Sequence, residues 1–313
     1  MLAYLLKRVL ATVPVVLTVA VLVFGLLRLT PGDPAIILAG DSATETQLQQ
    51  LRQHMGLDRS ITAQFGLWAG QVMRGDLGVS LHSGTPVTGM IAGRIGPSLA
   101  LALCTIVFST LVAVPLGAYA AWRRGSRVDR AIMAFSVMGF SVPIFVTGYA
   151  LILLFAMKLG WLPVQGYKPL SAGVFEFARH LALPTLALST GFIALIARIA
   201  RSSILEVMNE DYIRTARAKG ITEGTVLIAH ALRNAAVPII TIIGISIALL
   251  ISGVVVTESV FNLPGLGRLV VESVLARDYP LIQGLILLFS LLYIGINLAI
   301  DVLYSVFDPR IRY

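Results

Sequence analysis

"AVPIITIIGISIALLISGVVVT", residues 236–257, contains no Asp, Glu, Lys or Arg. As a helix rising 1.5 Å per residue it would span about 33 Å, enough for a hydrocarbon core roughly 30 Å thick. Five further segments meet the same test, near 9–29, 98–121, 131–157, 181–200 and 281–305. The spacing therefore predicts an all-α integral membrane protein with six transmembrane helices. Composition agrees. The 313 residues are 57% hydrophobic and 13% charged, with a mean hydropathy of +0.87, and a soluble domain carries about 25% charged residues. Pro14, Pro115, Pro143 and Pro184 fall within these segments or at their ends, where membrane helices tolerate proline if neighbours satisfy the freed carbonyls.

The apolar run from Val9 to Leu29 is longer than the ~7–15 residues of a signal-peptide core, so it reads as an uncleaved first span. Cys104 is the single cysteine, which leaves no partner for an intrachain disulfide and argues against a metal cluster. A net charge of +8 could suggest nucleic acid. In a membrane chain it reads instead as the excess of Arg and Lys that holds short loops in the cytoplasm. Arg123, Arg124, Arg127 and Arg130 follow the second apolar segment. Arg198, Arg201, Arg214, Arg217, Lys219 and Arg233 surround the loop after the fourth. With Lys7, Arg8, Arg310 and Arg312 they place both termini in the cytoplasm, in a multi-pass membrane protein.

Three regions follow: an N-terminal helix in 1–30, an external loop subdomain in 31–96, and a core of five spans in 97–313 that includes a charged loop at 201–235. In the external region "TPGDPA", residues 30–35, has turn chemistry. "SATETQLQQLRQHMG", residues 42–56, reads as a short amphipathic helix with Leu48, Leu51 and Met55 on one face and Gly56 as its stop. A structural cap is the simplest role for it.

Immediately before the opening stretch lies "RTARAKGITEGTVLIAHALRN", residues 214–234. Arg201 to Lys219 has good helix formers and no proline, so one helix is expected there, ended by Gly220 with Arg217 and Lys219 in its last turn. Thr222 is the expected N-cap and Glu223 the first-turn acid of a second short helix. A helix–glycine turn–helix with basic residues could be a DNA-reading motif, or a segment lying on anionic headgroups. The nearness of the spans disfavours the first reading. The capped turn disfavours the second, because it argues for a rigid shape offered to a partner. Arg233 and Asn234 receive no physical account at this level.

These residues resemble the EAA loop of ABC importer permeases. With its glycine on Gly220, Arg214, Thr215 and Ala216 stand at the E-A-A positions, His230 and Leu232 at the I and L positions, and Arg233 replaces the motif's proline. The variant "DYxRTARAKG…HALRNAxxP" resembles the dipeptide/oligopeptide permease family. "PGDPA" at 31–35, "GDLGVS" at 75–80, "FNLPGLGRL" at 261–269 and "DVLYSVFDPRIR" at 301–312 resemble the same family, in order along the chain. The long loop before the second span suggests the B-type subunit. The resemblance implies a coupling helix that docks into a groove of an ATPase, at Tyr212, Arg214, Thr215, Ala216, Arg217, Lys219 and Gly220. On that view Ala216 is small to permit close approach, and Arg217 either joins the contact or faces solvent or headgroups. It also implies a C-type permease partner in a heterodimer, two ATP-binding-cassette ATPase subunits, an external substrate-binding protein, membrane lipid around the chain, and no nucleic acid.

The sequence has no G-x₄-G-K-[ST] phosphate loop and no H-E-x-x-H pair. Its histidines, His54, His82, His180 and His230, are scattered. No catalytic or metal-binding residue is expected and no cofactor in this chain; ATP and Mg would be bound by the partner subunits. Ser141, Thr147, Ser246 and Ser252 are candidate pore residues that could hydrogen-bond a peptide, although small residues also serve helix packing. Glu258, Pro264 and Gly265 are candidate gate residues in a re-entrant turn, where Gly265→Val would slow transport without reducing assembly. Asp301, with Asn297 and Tyr304, reads as structural, near the membrane interface. The expected substrate is a di- or oligopeptide, with nickel or glutathione as alternatives. An ion-coupled secondary transporter is the reading from another class, disfavoured by the absence of an evident repeat or mid-span acid.

Overall fold

The computed structural model describes residues 2–29, 36, 44–54, 56 and 58–307. The "TPGDPA" turn, Met55, the side chains of Leu51, Asp301 and Tyr304, and the terminal bases lie outside the described residues or side chains. The described residues are mainly α-helical. The one extended pairing among the described residues joins Val79 to Pro86. The helices are α1 (Leu2–Leu29), α2 (Glu45–His54), α3 (Ile61–Met73), α4 (Val87–Trp122), α5 (Arg127–Ser141), α6 (Ile144–Leu151), α7 (Val174–Met208), α8 (Asp211–Ala218), α9 (Glu223–Thr225), α10 (Ala236–Val260), α11 (Leu266–Leu275) and α12 (Tyr279–Phe307). Among the described residues, α4, α7, α10 and α12 are long and apolar enough to cross a membrane, and a bent pair makes a fifth crossing if taken as one span. In α1 the described apolar stretch is the shorter Leu10–Gly25.

The bent pair corrects the continuous helix expected near 131–157. α5 and the helix from Ile144 to Lys158 meet at 102°. Pro143 has no N–H to donate, and it forces Val142 out of the α region, to φ −81° and ψ 125°. After α6 the chain widens into π-helical turns over Ile152–Lys158. A second correction falls on the helix expected from Arg201 to Lys219. α7 stops at Met208, and Glu210, with ψ 148°, opens α8 from an extended conformation. The overlooked signal is "NED" at 209–211, short polar residues that suit helix ends better than helix interiors.

The chain divides into two compact units: Met1–Ile95 with Leu269–Gly295, and Gly96–Arg268 with Ile296–Tyr313. In the first, Phe24 of α1 packs against Phe65 and Trp68 of α3 at centroid distances of 5.4 and 5.7 Å. Ser60 caps α3 by accepting from the Ala63 N–H. Gly56 has φ +65° where α2 was expected to stop. Asp278 is buried and accepts from the Ser80 hydroxyl and, at 3.1 Å, from the Leu81 N–H.

The second unit is built around α7. Its 35 residues make a helix roughly 52 Å long, and Leu181, Leu188, Ile196, Ala197 and Ile204 are fully or almost fully buried along it. Neighbours approach through small residues. A Cβ on Gly117 of α4 would lie 2.6 Å from the Ala197 carbonyl oxygen, and one on Gly139 of α5 would lie 3.2 Å from that of Thr190. Gly253 of α10 faces Leu188, and Gly244 faces Ile300. In lipid there is little hydrophobic force between helices, so this close contact is what holds them.

Gly117→Val should therefore overpack the α4–α7 contact and cost about 1–3 kcal/mol. Gly191→Val, where nothing lies within 4 Å, should cost little. Melting of the two variants in mild detergent measures the difference.

Candidate functional site

The loop after α7 is a closed hairpin. α8 ends in a Schellman arrangement: the Ile221 N–H bonds the Ala216 carbonyl at 3.3 Å and the Gly220 N–H bonds that of Arg217 at 2.9 Å. This places Gly220 at φ +79°, a conformation that costs an L-residue roughly 1–2 kcal/mol. Ile213, Ala216 and Val226 are buried together, with Met208 and Ile221 packed against them. Across the turn, Arg217 grips Glu223 through two hydrogen bonds of 2.7 and 3.2 Å. Both side chains are partly exposed, so the pair contributes at most about 1 kcal/mol but sets the angle between the arms.

Of the seven candidate coupling residues, six are exposed and Ala216 is not. Its small side chain closes the hairpin's own core. Arg217 is committed to Glu223, and Arg214 pairs with Asp211 at 3.1 Å. Thr215 returns its hydroxyl to the Asp211 carbonyl. Lys219 has no partner among the described residues, and Tyr212 is 43% exposed. Burial of part of its ring, and then the charge of Glu210, push the Tyr212 phenol above its ordinary range. The second arm is not a regular helix: after α9 it runs as π-helical turns, Val226–Leu232. Asn234 now has an account. Its side-chain amide donates to the His230 carbonyl at 2.7 Å, as does the Arg233 N–H, so a carbonyl at the end of these turns is satisfied before Pro238.

The four candidate pore hydroxyls do not share one surface. Ser246 is fully buried and donates to the Ile242 carbonyl at 2.7 Å. Ser252 is exposed beside Ile245, Leu249 and Val256 on one stripe of α10 and bonds the Leu249 carbonyl. Ser141 ends α5 at the bend, exposed, with its hydroxyl on the Val137 carbonyl. Thr147 is half-buried on α6. Asn297 is half-buried on α12.

Glu258 and Gly265 do come together, while Pro264 between them in the turn is exposed. The Glu258 carboxylate is wholly buried, accepting from the Ser98 hydroxyl at 2.5 Å and from the Arg268 N–H at 3.0 Å. Ser98 in turn accepts from the Leu266 N–H at 2.7 Å. Phe261 is buried against Gly148, and its carbonyl accepts from the Gly166 N–H at 3.2 Å. Asn262, at φ +51°, turns the chain. The turn is thus held from inside by a carboxylate. This corrects the expectation for Gly265→Val: any Cβ there would run into the Glu258 carboxylate, so the change would damage folding and not transport alone. Sequence reading missed Ser98. It also missed the buried ion pair of Asp129 with Arg201, at 2.6 and 2.7 Å. Asp129 accepts from the Gly125 N–H as well, and Ser126 caps α5 above it.

Fold and site define a helical membrane component of a transporter. The chain matches the family "Binding-protein-dependent transport system inner membrane component" over residues 113–313, and its N-terminal companion model over 1–102. It belongs to this family of ABC importer permeases. It is 50% identical to the "probable peptide ABC transporter permease protein y4tP" of Sinorhizobium fredii, over 99% of both chains. It is 44% identical to the glutathione transport system permease protein GsiC of Salmonella choleraesuis over 100% of both. Its fold is similar to that of a chain in an inward-facing structure of the MetNI methionine ABC transporter, with a TM-score of 0.60, 17% identity and coverage of 70% of this chain and 96% of that one.

Replacing Glu258 with Ala would remove the acceptor of two buried hydrogen bonds, from the Ser98 hydroxyl and the Arg268 N–H, each to a carboxyl and contributing about 1.5–3 kcal/mol. Both Glu258→Ala and Gly265→Ala should lower the yield of folded protein, read by size-exclusion chromatography in detergent.

Proposed function

We propose that this chain is the B-type permease subunit of an ATP-driven importer and forms, with a C-type permease, the path for di- and oligopeptides. The observation that carries the reading is the hairpin at 211–232. It is closed from behind by Ile213, Ala216 and Val226 and presents Tyr212, Arg214, Thr215, Lys219 and Gly220 outward. A rigid outward shape suits a part that receives force from another protein. Two ATP-binding-cassette subunits bind ATP and Mg, hydrolysis belongs to them, and this chain catalyses no reaction. An external binding protein delivers the peptide. Both termini and the hairpin face the cytoplasm, in keeping with the arginines that flank α4 and α7.

ATP closes the two ATPases, and their grooves engage the hairpin more tightly in one arrangement of the spans than in the other. That difference in affinity shifts the population between inward- and outward-open states. Peptide is the favoured cargo because the relative named for peptide transport shares half of this chain's residues. Glutathione, itself a peptide, is the second reading, on the strength of the 44% identity to the Salmonella glutathione permease.

Gly220→Val tests the coupling role, since nothing lies within 4 Å of that Cβ position and only the φ of +79° is at stake. Co-purification of the ATPases should fall severalfold while the amount of this chain in the membrane holds. In liposomes loaded with the assembled transporter and its binding protein, uptake of a labelled dipeptide should require ATP. Uptake driven by an ion gradient without ATP overturns the proposal, and uptake of glutathione but not dipeptide selects the second reading.

A further inference from the structure

The end of α4 carries a charge pattern that neither transport nor coupling uses. On a row that winds slowly around the helix, Leu99, Leu103, Val107 and Leu111 are all exposed, four residues apart. The same stripe continues through exposed Pro115 to Tyr119 and Trp122. It contains no small residue. The small side chains of this part of α4, Ala113, Gly117, Ala118, Ala120 and Ala121, are the buried ones. Helices pack in lipid through small residues, so the protein-facing side of α4 is already occupied within the chain, and the bulky stripe has the chemistry of a surface for acyl chains.

The stripe ends in an aromatic and cationic corner. Tyr119 and Trp122 meet edge-on with centroids 5.8 Å apart, and the Arg123 guanidinium sits 4.7 Å above the Trp122 ring. Rings of this kind sit at headgroup level. Arg123, Arg124, Arg127 and Arg130 are all exposed and have no carboxylate within ion-pair distance among the described residues. The only acidic residue from Leu77 to Phe175 is Asp129. It is buried, with its charge turned inward to Arg201. The charge of Asp129 also reaches Arg124, but one carboxylate already bonded to Arg201 leaves a net positive corner of four guanidinium groups at the foot of an apolar, aromatic-ended stripe.

We infer that this corner is a binding site for an anionic phospholipid, with the phosphate held by the arginines of the α4–α5 turn and the acyl chains lying along the Leu99–Leu111 stripe. Guanidinium groups match phosphate oxygens two at a time, and Arg123 is positioned for this by its stacking on Trp122. The site is independent of which substrate the transporter carries.

The test places p-benzoylphenylalanine at Val128, which is exposed in the first turn of α5 between Arg127 and Asp129, in the full transporter in bacterial membranes. After irradiation the chain is purified and its adducts are weighed. Adducts of phosphatidylglycerol or cardiolipin should exceed their share of the membrane about fivefold or more, given roughly 1 kcal/mol for each basic residue near the surface. Each single Arg→Gln change at 123, 124, 127 or 130 should lower the enrichment, and a fourfold Arg→Lys variant should retain most of it. Lipid adducts in proportion to membrane composition would make this ordinary boundary lipid and overturn the proposal. Adducts to the partner permease or to an ATPase would overturn it too, by showing the corner covered by protein.

Discussion

Close approach to α7 is the constraint on which the second unit depends. Apolar side chains gain little by leaving lipid for one another, so contact area and fit must hold the helices. Gly117 meets Ala197, Gly139 meets Thr190 and Gly253 meets Leu188; in each case hydrogen stands where a methyl group would collide or crowd. The same logic explains Thr105 and Ser109 on α4, and Thr185 and Ser189 on α7. Their hydroxyls are buried without a hydrogen-bond partner among the described residues. They serve there as small side chains.

Polar groups that do have partners mark the places where helices end. Asp129 takes the Gly125 N–H and both hydrogen bonds of Arg201, so the turn after α4 is tied to α7. Glu258 and Ser98 do the same for the backbone between α10 and α11, collecting the N–H groups of Arg268 and Leu266. A buried charge is costly unless paired and hydrogen-bonded. Asp129 meets both conditions through Arg201 and the Gly125 N–H, and Glu258 is hydrogen-bonded by Ser98 and by the Arg268 N–H, a backbone donor that a helix start leaves free.

The hairpin at 211–232 shows how closure and presentation divide the work among neighbours. Ile213, Ala216 and Val226 turn inward, while Tyr212 and Lys219 turn out. Arg217 belongs to the first group in effect although it is exposed, because its two bonds to Glu223 set the angle of the arms. Gly220 was legible from sequence because a positive φ at a helix end has few other solutions. The inward role of Ala216 was not, since a small residue suits a partner's approach and an internal contact equally well.

Residues 236–257, with no charge over a bilayer's length, determined by themselves that this chain lives in a membrane, and the arginine-rich turns pointed to its orientation. Both are properties of composition along a line, and lipid imposes them segment by segment. The pairing of Ser98 with Glu258, 160 residues apart, and of Asp129 with Arg201, 72 apart, could be decided only by tertiary structure. A serine or carboxylate carries no mark of its partner until packing brings the two within reach. The 102° bend at Pro143 lies between these cases. The proline was visible, but whether it kinks a span or breaks it in two depends on what the neighbouring helices offer the freed backbone.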